Sequence, residues 1–217
     1  MRSLLFPSRR TTGAGALARL YDGAAKSWQR GLNQIGFGPA YAALCQAAQD
    51  RHPQTGPARI LDAGAGTGAL SSAYAATTSH PCQFDLLDLS AEMLSVATAQ
   101  LGPRATAVLG GLGDAALPRD TYDRVLCGHV IEHCEDPQAA LDWLWTRLTP
   151  GGVAVFALSK PHWCTALVRW KYGSAAFRPE DVDLMLTRAG FLDLVRVPFA
   201  SGPPSRISCG YLAMRPT

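Results

Sequence analysis

At 217 residues, 47% hydrophobic and 17% charged, the chain has the length and composition of one globular domain with a full core, which excludes a disordered or fibrous protein. A net charge of only +3, with no long Lys/Arg run, excludes a nucleic-acid-binding stripe. No stretch approaches the roughly 20 apolar residues that span a bilayer, and the apolar run between Arg2 and Arg9 is too short for a signal peptide, so a cytoplasmic protein is expected.

Residues 1–13 read as a tail. From Ala14 to about Asp50 the pattern is helical, with Leu17, Leu20, Tyr21, Ala24 and Trp28 at three- and four-residue spacings. Gly36, Gly38 and Pro39 predict a break, after which Tyr41, Leu44, Cys45 and Ala48 resume the helix. Residues 1–56 are thus expected to form a tail and helical cap, with a Pro/Gly-containing linker from Arg51 to Ala58. Strands and helices then alternate over 57–217, which predicts a parallel sheet with helices on both faces. Strands are expected at 59–62, 84–88, 106–109, 123–127 and 153–158. Helices are expected at 67–77, from a Ser90 cap to Gln100, after an Asp136 cap with Pro137 in the first position, and from Pro179 to Gly190. Phe191–Pro198 and Ile207–Arg215 read as a closing strand pair around Ser201-Gly-Pro-Pro-Ser205. The six cysteines contain no Cys-x-x-Cys pair and read as reduced, mostly buried thiols.

The most informative stretch is Arg59-Ile-Leu-Asp-Ala-Gly-Ala-Gly-Thr-Gly68. A short apolar run ends in Asp62, glycines follow at 64, 66 and 68, and a helix-prone segment begins at Ala69. Glycine permits the dihedrals of a tight turn and a close backbone approach by a ligand. A carboxylate at the strand end disfavours a pyrophosphate and suits the ammonium of a bound amino acid.

Three further stretches extend the pattern: Phe84-Asp-Leu-Leu-Asp-Leu-Ser-Ala-Glu-Met-Leu94, Tyr122-Asp-Arg-Val-Leu-Cys-Gly-His-Val-Ile-Glu-His133 and Leu148-Thr-Pro-Gly-Gly-Val-Ala-Val155. Together, over about residues 57–158, they resemble the ordered motifs of class I methyltransferases that use S-adenosylmethionine. The resemblance implies a Rossmann-like, doubly wound, mostly parallel sheet with a C-terminal antiparallel strand pair. It also implies that Asp62, Gly64, Ala65, Gly66 and Gly68 hold the methionine end of S-adenosylmethionine. Asp88 would accept hydrogen bonds from the ribose hydroxyls, as in dinucleotide-binding folds, with Leu89 and Met93 flanking the adenine. Met93 fits a helix-face core position equally well. The adenine amine would meet Asp114, or the backbone of Leu112 or Gly113, because the spacing to Leu117-Pro118 is one residue shorter than in the family pattern. Cys127 and Gly128 would close the cofactor site at the end of strand four.

His129 is the candidate general base, since an imidazole titrates near neutrality; a packing role fits it too. His133 is read either as an acceptor contact or as structural. His129-Val-Ile-Glu-His133 also matches an inverted zinc pattern, but that pattern belongs within a helix and needs another acidic ligand, so no metal site is read. An insertion at about 159–177 places Trp163, Trp170 and Tyr172 among Lys160, Arg169 and Lys171, a candidate lid. With Tyr21, Trp28 and Tyr41 of the cap, these rings are the candidate acceptor pocket for a small molecule, and the lid offers a peripheral membrane contact. The expected activity is methyl transfer to oxygen or nitrogen of a small amphiphilic or aromatic acceptor. Two alternatives remain: a non-catalytic S-adenosylmethionine-binding subunit or sensor, and an NAD(P)-dependent oxidoreductase, whose fingerprint Gly64-x-Gly66-x-x-Ala69 also fits.

Overall fold

Residues with alternating orientation along the strands divide the core into two faces. Ile60, Leu86, Leu126, Val155 and Leu212 lie in one apolar cluster, whereas their neighbours Leu61, Leu87, Val125, Ala154 and Tyr211 lie in the other. Successive strand residues point to opposite faces, so apolar residues on both parities require helices on both sides of the sheet. The computed structural model describes residues 35–114, 116–162 and 175–217, and it has that architecture.

The strands are β1 (Ala58–Ala63), β2 (Cys82–Asp88), β3 (Ala105–Leu109), β4 (Tyr122–Gly128), β5 (Leu148–Ser159), β6 (Leu192–Val197) and β7 (Ser208–Met214). They form one sheet in the order β3-β2-β1-β4-β5-β7-β6. Pairings from β3 through β5 are parallel, and β7 runs antiparallel to both β5 and β6. The order reverses between β1 and β4, the switch point beside which open α/β sheets bind ligands.

The helices are α1 (Phe37–Arg51), α2 (Ala69–Ala75), α3 (Ala91–Leu101), α4 (Pro137–Trp145), α5 (Pro179–Arg188) and α6 (Gly202–Ile207). Helices α1 to α3 pack on the face that holds Ile60 and Leu126; α4 and α5 cover the other. Ser90 caps α3 by accepting from the Met93 N–H, and Asp136 caps α4 by accepting from the Ala139 N–H, as the residue types predict.

Two local expectations differ. The helix resumes earlier than expected: Gly36 is left-handed at φ 92°, but Phe37 already begins α1, so Gly38 and Pro39 lie in its first turn. Proline is tolerated in a first turn because its missing N–H would have no intrahelical partner there. The same reasoning explains why Gly202-Pro-Pro opens the short helix α6 where a loop was expected. The helical assignments before residue 35 lie outside the described residues.

Candidate active site

Asp62 is next to last in β1, on the face covered by α1 and α2, and is 1% exposed. Its Oδ2 accepts a 2.6 Å hydrogen bond from the Ser71 hydroxyl on α2. Its Oδ1 is buried with no hydrogen-bond partner among the described residues. Burial pushes the carboxyl up to about 7, against the Ser71 hydrogen bond and with help from the Asp88 charge. A buried acceptor lacking a donor costs about 1–3 kcal/mol, a cost that a ligand ammonium group would remove.

The turn after Asp62 is held by its own backbone. Gly64 and Ala65 N–H groups both donate to the Leu87 carbonyl, at 2.7 and 2.9 Å. The turn glycines have φ of 76°, 52° and 80° at 64, 66 and 68, and they differ in what surrounds them. A Cβ on Gly64 would lie 2.1 Å from Val130 Cγ2, and one on Gly68 3.0 Å from Ala97 Cβ; at Gly66 nothing lies within 4 Å. Two of the three glycines therefore serve packing, and Gly66 leaves the backbone open to a ligand.

Asp88, at the end of β2, ties that turn to the next helix. Its Oδ2 accepts from the Gly66 N–H at 2.8 Å and its Oδ1 from the Ser90 N–H at 2.9 Å. Leu89 Cδ2 and Asp114 Oδ2 converge on the same point beside Gly111, 3.5 and 3.3 Å from where a Cβ there would sit. Asp114 is exposed and Gly113 adopts φ 95°. Met93 is buried at 2% exposure, in keeping with the helix-core alternative. Cys127 is fully buried in the cluster on the α4 side, the face opposite Asp62. A Cβ on Gly128 would approach Leu70 Cδ2 at 3.4 Å and the Tyr41 hydroxyl at 3.5 Å.

His129 follows in a left-handed conformation at φ 59°, its N–H bonded to the Ala157 carbonyl at 2.8 Å. Its ring meets Phe37 edge-on at 5.0 Å between centroids and lies 6.4 Å from Tyr41. Nδ1 is 3.2 Å from both Glu132 Oε1 and Ser159 Oγ. Nε2 is buried and has no hydrogen-bond partner among the described residues. Glu132 is 3% exposed, and its Oε1 also accepts from the Ser159 N–H at 2.6 Å. Burial pushes its carboxyl up, but the His129 contacts and backbone hydrogen bonds outweigh that and hold it below the usual range. His133 sits in a 3-10 turn, Ile131–His133, and burial lowers its imidazole. The His-x-x-Glu-His pattern thus lies across a strand end and a 3-10 turn, not along an α-helix.

Sequence reasoning did not find the partners Ser71, Phe37 and Glu132. Of these, only Glu132 carried a signal, its three-residue spacing from His129. Tyr21, Trp28, Trp163, Trp170 and Tyr172 lie outside the described residues. Lys160, named with the lid, donates to the Ser205 carbonyl at 2.8 Å. Two hollows line the opposite, amino-terminal end of the sheet around Arg59, Asp85 and Asp123 and around His52, Arg124 and Gly151. They lie far from the strand ends at which Asp62, Asp88 and His129 gather.

Residues 61–156 match the family model described as a methyltransferase domain. Over that stretch the chain is similar to S-adenosylmethionine-dependent methyltransferases. A malonyl-[acyl-carrier protein] O-methyltransferase of Enterobacter lignolyticus is 33% identical over 110 residues, 51% of this chain and 42% of that protein. A ubiquinone biosynthesis O-methyltransferase of Xylella fastidiosa is 34% identical over 109 residues, 47% of this chain and 42% of that protein. The matches span less than half the length of these relatives. The fold is similar to that of Haemonchus contortus phosphoethanolamine N-methyltransferase 2 in complex with S-adenosyl-L-methionine, with a TM-score of 0.76 at 15% identity over 98% of this chain and 62% of that one. The chain's residues fit the cofactor: Asp62 offers a buried acceptor without a donor, and Gly66 offers unobstructed backbone. No helix among the described residues is long and apolar enough to cross a membrane.

Proposed function

We propose that this protein transfers the methyl group of S-adenosylmethionine to an oxygen or nitrogen of a small amphiphilic or aromatic molecule. The observation that carries the reading is the buried Asp62 Oδ1 that lacks a donor, set beside the open backbone of Gly66, which Asp88 holds. When bound, the cofactor supplies an electrophilic methyl on a sulfonium. The chain's own residues would bind and orient: Asp62 on the ammonium, Gly66 beside the ribose, Asp88 on the ribose hydroxyls, and Leu89 with Asp114 at the adenine. Phe37, Tyr41 and His129 would form a dry wall beside Gly128, where exclusion of water and alignment of nucleophile with methyl account for most of the rate. His129 would take the acceptor's proton. The sequence adds the aromatic residues Trp163, Trp170 and Tyr172 as a lid, with Tyr21, Trp28 and His133 as further acceptor contacts.

Calorimetry with S-adenosylmethionine and with NAD tests the cofactor: binding of the first alone is expected, and binding of NAD alone overturns the reading. Incubation with methyl-labelled S-adenosylmethionine and a small-molecule cell extract then tests catalysis. Label should enter a small organic product; cofactor binding without any transfer would favour the sensor or partner-subunit alternative.

A further inference from the structure

The methyl-transfer reading needs no fixed base, yet the residues around His129 are arranged as if the proton matters. An ionised carboxylate can only accept hydrogen bonds. Glu132 Oε1 therefore takes the Ser159 N–H at 2.6 Å and, at 3.2 Å, a proton on His129 Nδ1. The Ser159 hydroxyl, also 3.2 Å from Nδ1, shares that same side of the ring. A nitrogen carrying its proton toward a carboxylate leaves the other nitrogen with the lone pair in the neutral imidazole. That other nitrogen, Nε2, is buried and lacks a partner among the described residues. Among the described residues, Phe37 stands at 5.0 Å and Tyr41 at 6.4 Å from the imidazole between centroids. A buried acceptor without a partner calls for a donor, which a ligand can supply.

We propose that Glu132 is a positioning residue that holds His129 in the Nδ1–H form, so that Nε2 accepts the proton of a neutral, weakly acidic hydroxyl on an aromatic acceptor of the phenol type. This rests on the methyltransferase reading and narrows its acceptor class. A carboxylate acceptor has no proton to give and would meet the buried charge of Glu132. An ammonium would bring a second cation beside the sulfonium and would lose its hydration among the rings, a larger cost than for a neutral hydroxyl. In the transfer, the hydroxyl oxygen bonds to the methyl carbon as the carbon–sulfur bond breaks, its electron pair remaining on sulfur. The hydroxyl proton passes to Nε2 and afterwards to water, which restores the imidazole.

Nitrogen-15 NMR of the histidine rings in the full chain tests the positioning claim without any acceptor. At neutral pH the His129 signals should show protonated Nδ1 and unprotonated Nε2, and Glu132→Gln should convert a large part of the ring to the other form. A ring protonated on Nε2 in the natural protein overturns the proposal, whether or not Glu132→Gln folds. Acceptor class is read by fluorine-19 NMR on the complex with S-adenosylhomocysteine, using 4-fluorophenol, 4-fluorobenzoate and 4-fluorobenzylamine. The phenol should bind at least tenfold more tightly than the other two, and His129→Ala should erase that preference. Equal or weaker binding of the phenol, or no binding of any probe, overturns the hydroxyl assignment. Failure of S-adenosylhomocysteine to bind would instead defeat the methyltransferase reading, and the tautomer measurement would still decide the role of Glu132.

Discussion

Gly64→Ala separates packing from ligand approach in the glycine turn. The residue sits at φ 76°, and an added methyl would lie 2.1 Å from Val130 Cγ2 and 3.1 Å from its Cβ and Cγ1. A left-handed alanine costs about 1–2 kcal/mol, and forcing extra volume into a packed contact costs about 1–3 kcal/mol more. The expected loss is therefore about 2–5 kcal/mol, or roughly 5–15 °C in melting temperature for a chain of this size. Urea unfolding followed by tryptophan fluorescence reads it directly. Val130→Ala removes the methyl at 2.1 Å and leaves only Cβ, at 3.1 Å, so in that background the cost of Gly64→Ala should fall toward the backbone part, about 1–2 kcal/mol. Gly66→Ala, with φ 52° and open space around it, should cost no more than that in stability yet weaken the cofactor. A Gly64→Ala loss below about 1 kcal/mol, or a cost unchanged by Val130→Ala, would refute the division of roles among the glycines.

Asp62 should make cofactor binding depend on pH. Its carboxyl is raised from 3.8 to about 7 by burial, so in the free protein its stabilising protonated form is fully present below about pH 4 and is lost as pH rises through about 7. A bound ammonium favours the ionised form, so binding should release a proton below pH 7 and affinity should rise from pH 5 to 7. Calorimetry at pH 6 in buffers of different ionisation enthalpy should detect that proton, and Asp62→Asn should abolish its release; a buffer-independent heat in the natural protein would contradict the assignment. Asp88→Ala removes the acceptor for the Gly66 and Ser90 N–H groups together with the proposed ribose contact. It should lower cofactor affinity by about 1.5–3 kcal/mol, as for hydrogen bonds to a charged group, and unchanged calorimetric affinity would remove Asp88 from the site.

The cofactor half was legible because its parts are local in the chain. Asp62 and the three glycines lie within seven residues, and Ile60 beside Leu61, or Leu86 beside Leu87, reveal a strand buried on both faces. The start of α1 was placed a few residues late, because Gly38 and Pro39 break a helix in its interior yet are tolerated in a first turn, where Phe37 already packs into the core. The wall around His129 could not be read, because it joins elements far apart in sequence. Phe37 comes from α1, His129 from the end of β4 and Ser159 from the end of β5. The pairing of His129 with Glu132 depends further on the left-handed turn at φ 59°, uncommon outside glycine even though histidine is among the residues enriched there. Strained backbone of this kind persists where the surroundings hold it, and here they do: the His129 N–H is bonded to Ala157, its ring to Glu132 and its edge to Phe37. The conformation that sequence could least foresee is therefore the one that brings a basic nitrogen against the proposed acceptor wall, and the histidine tautomer is the property of this site whose measurement tests that arrangement most directly.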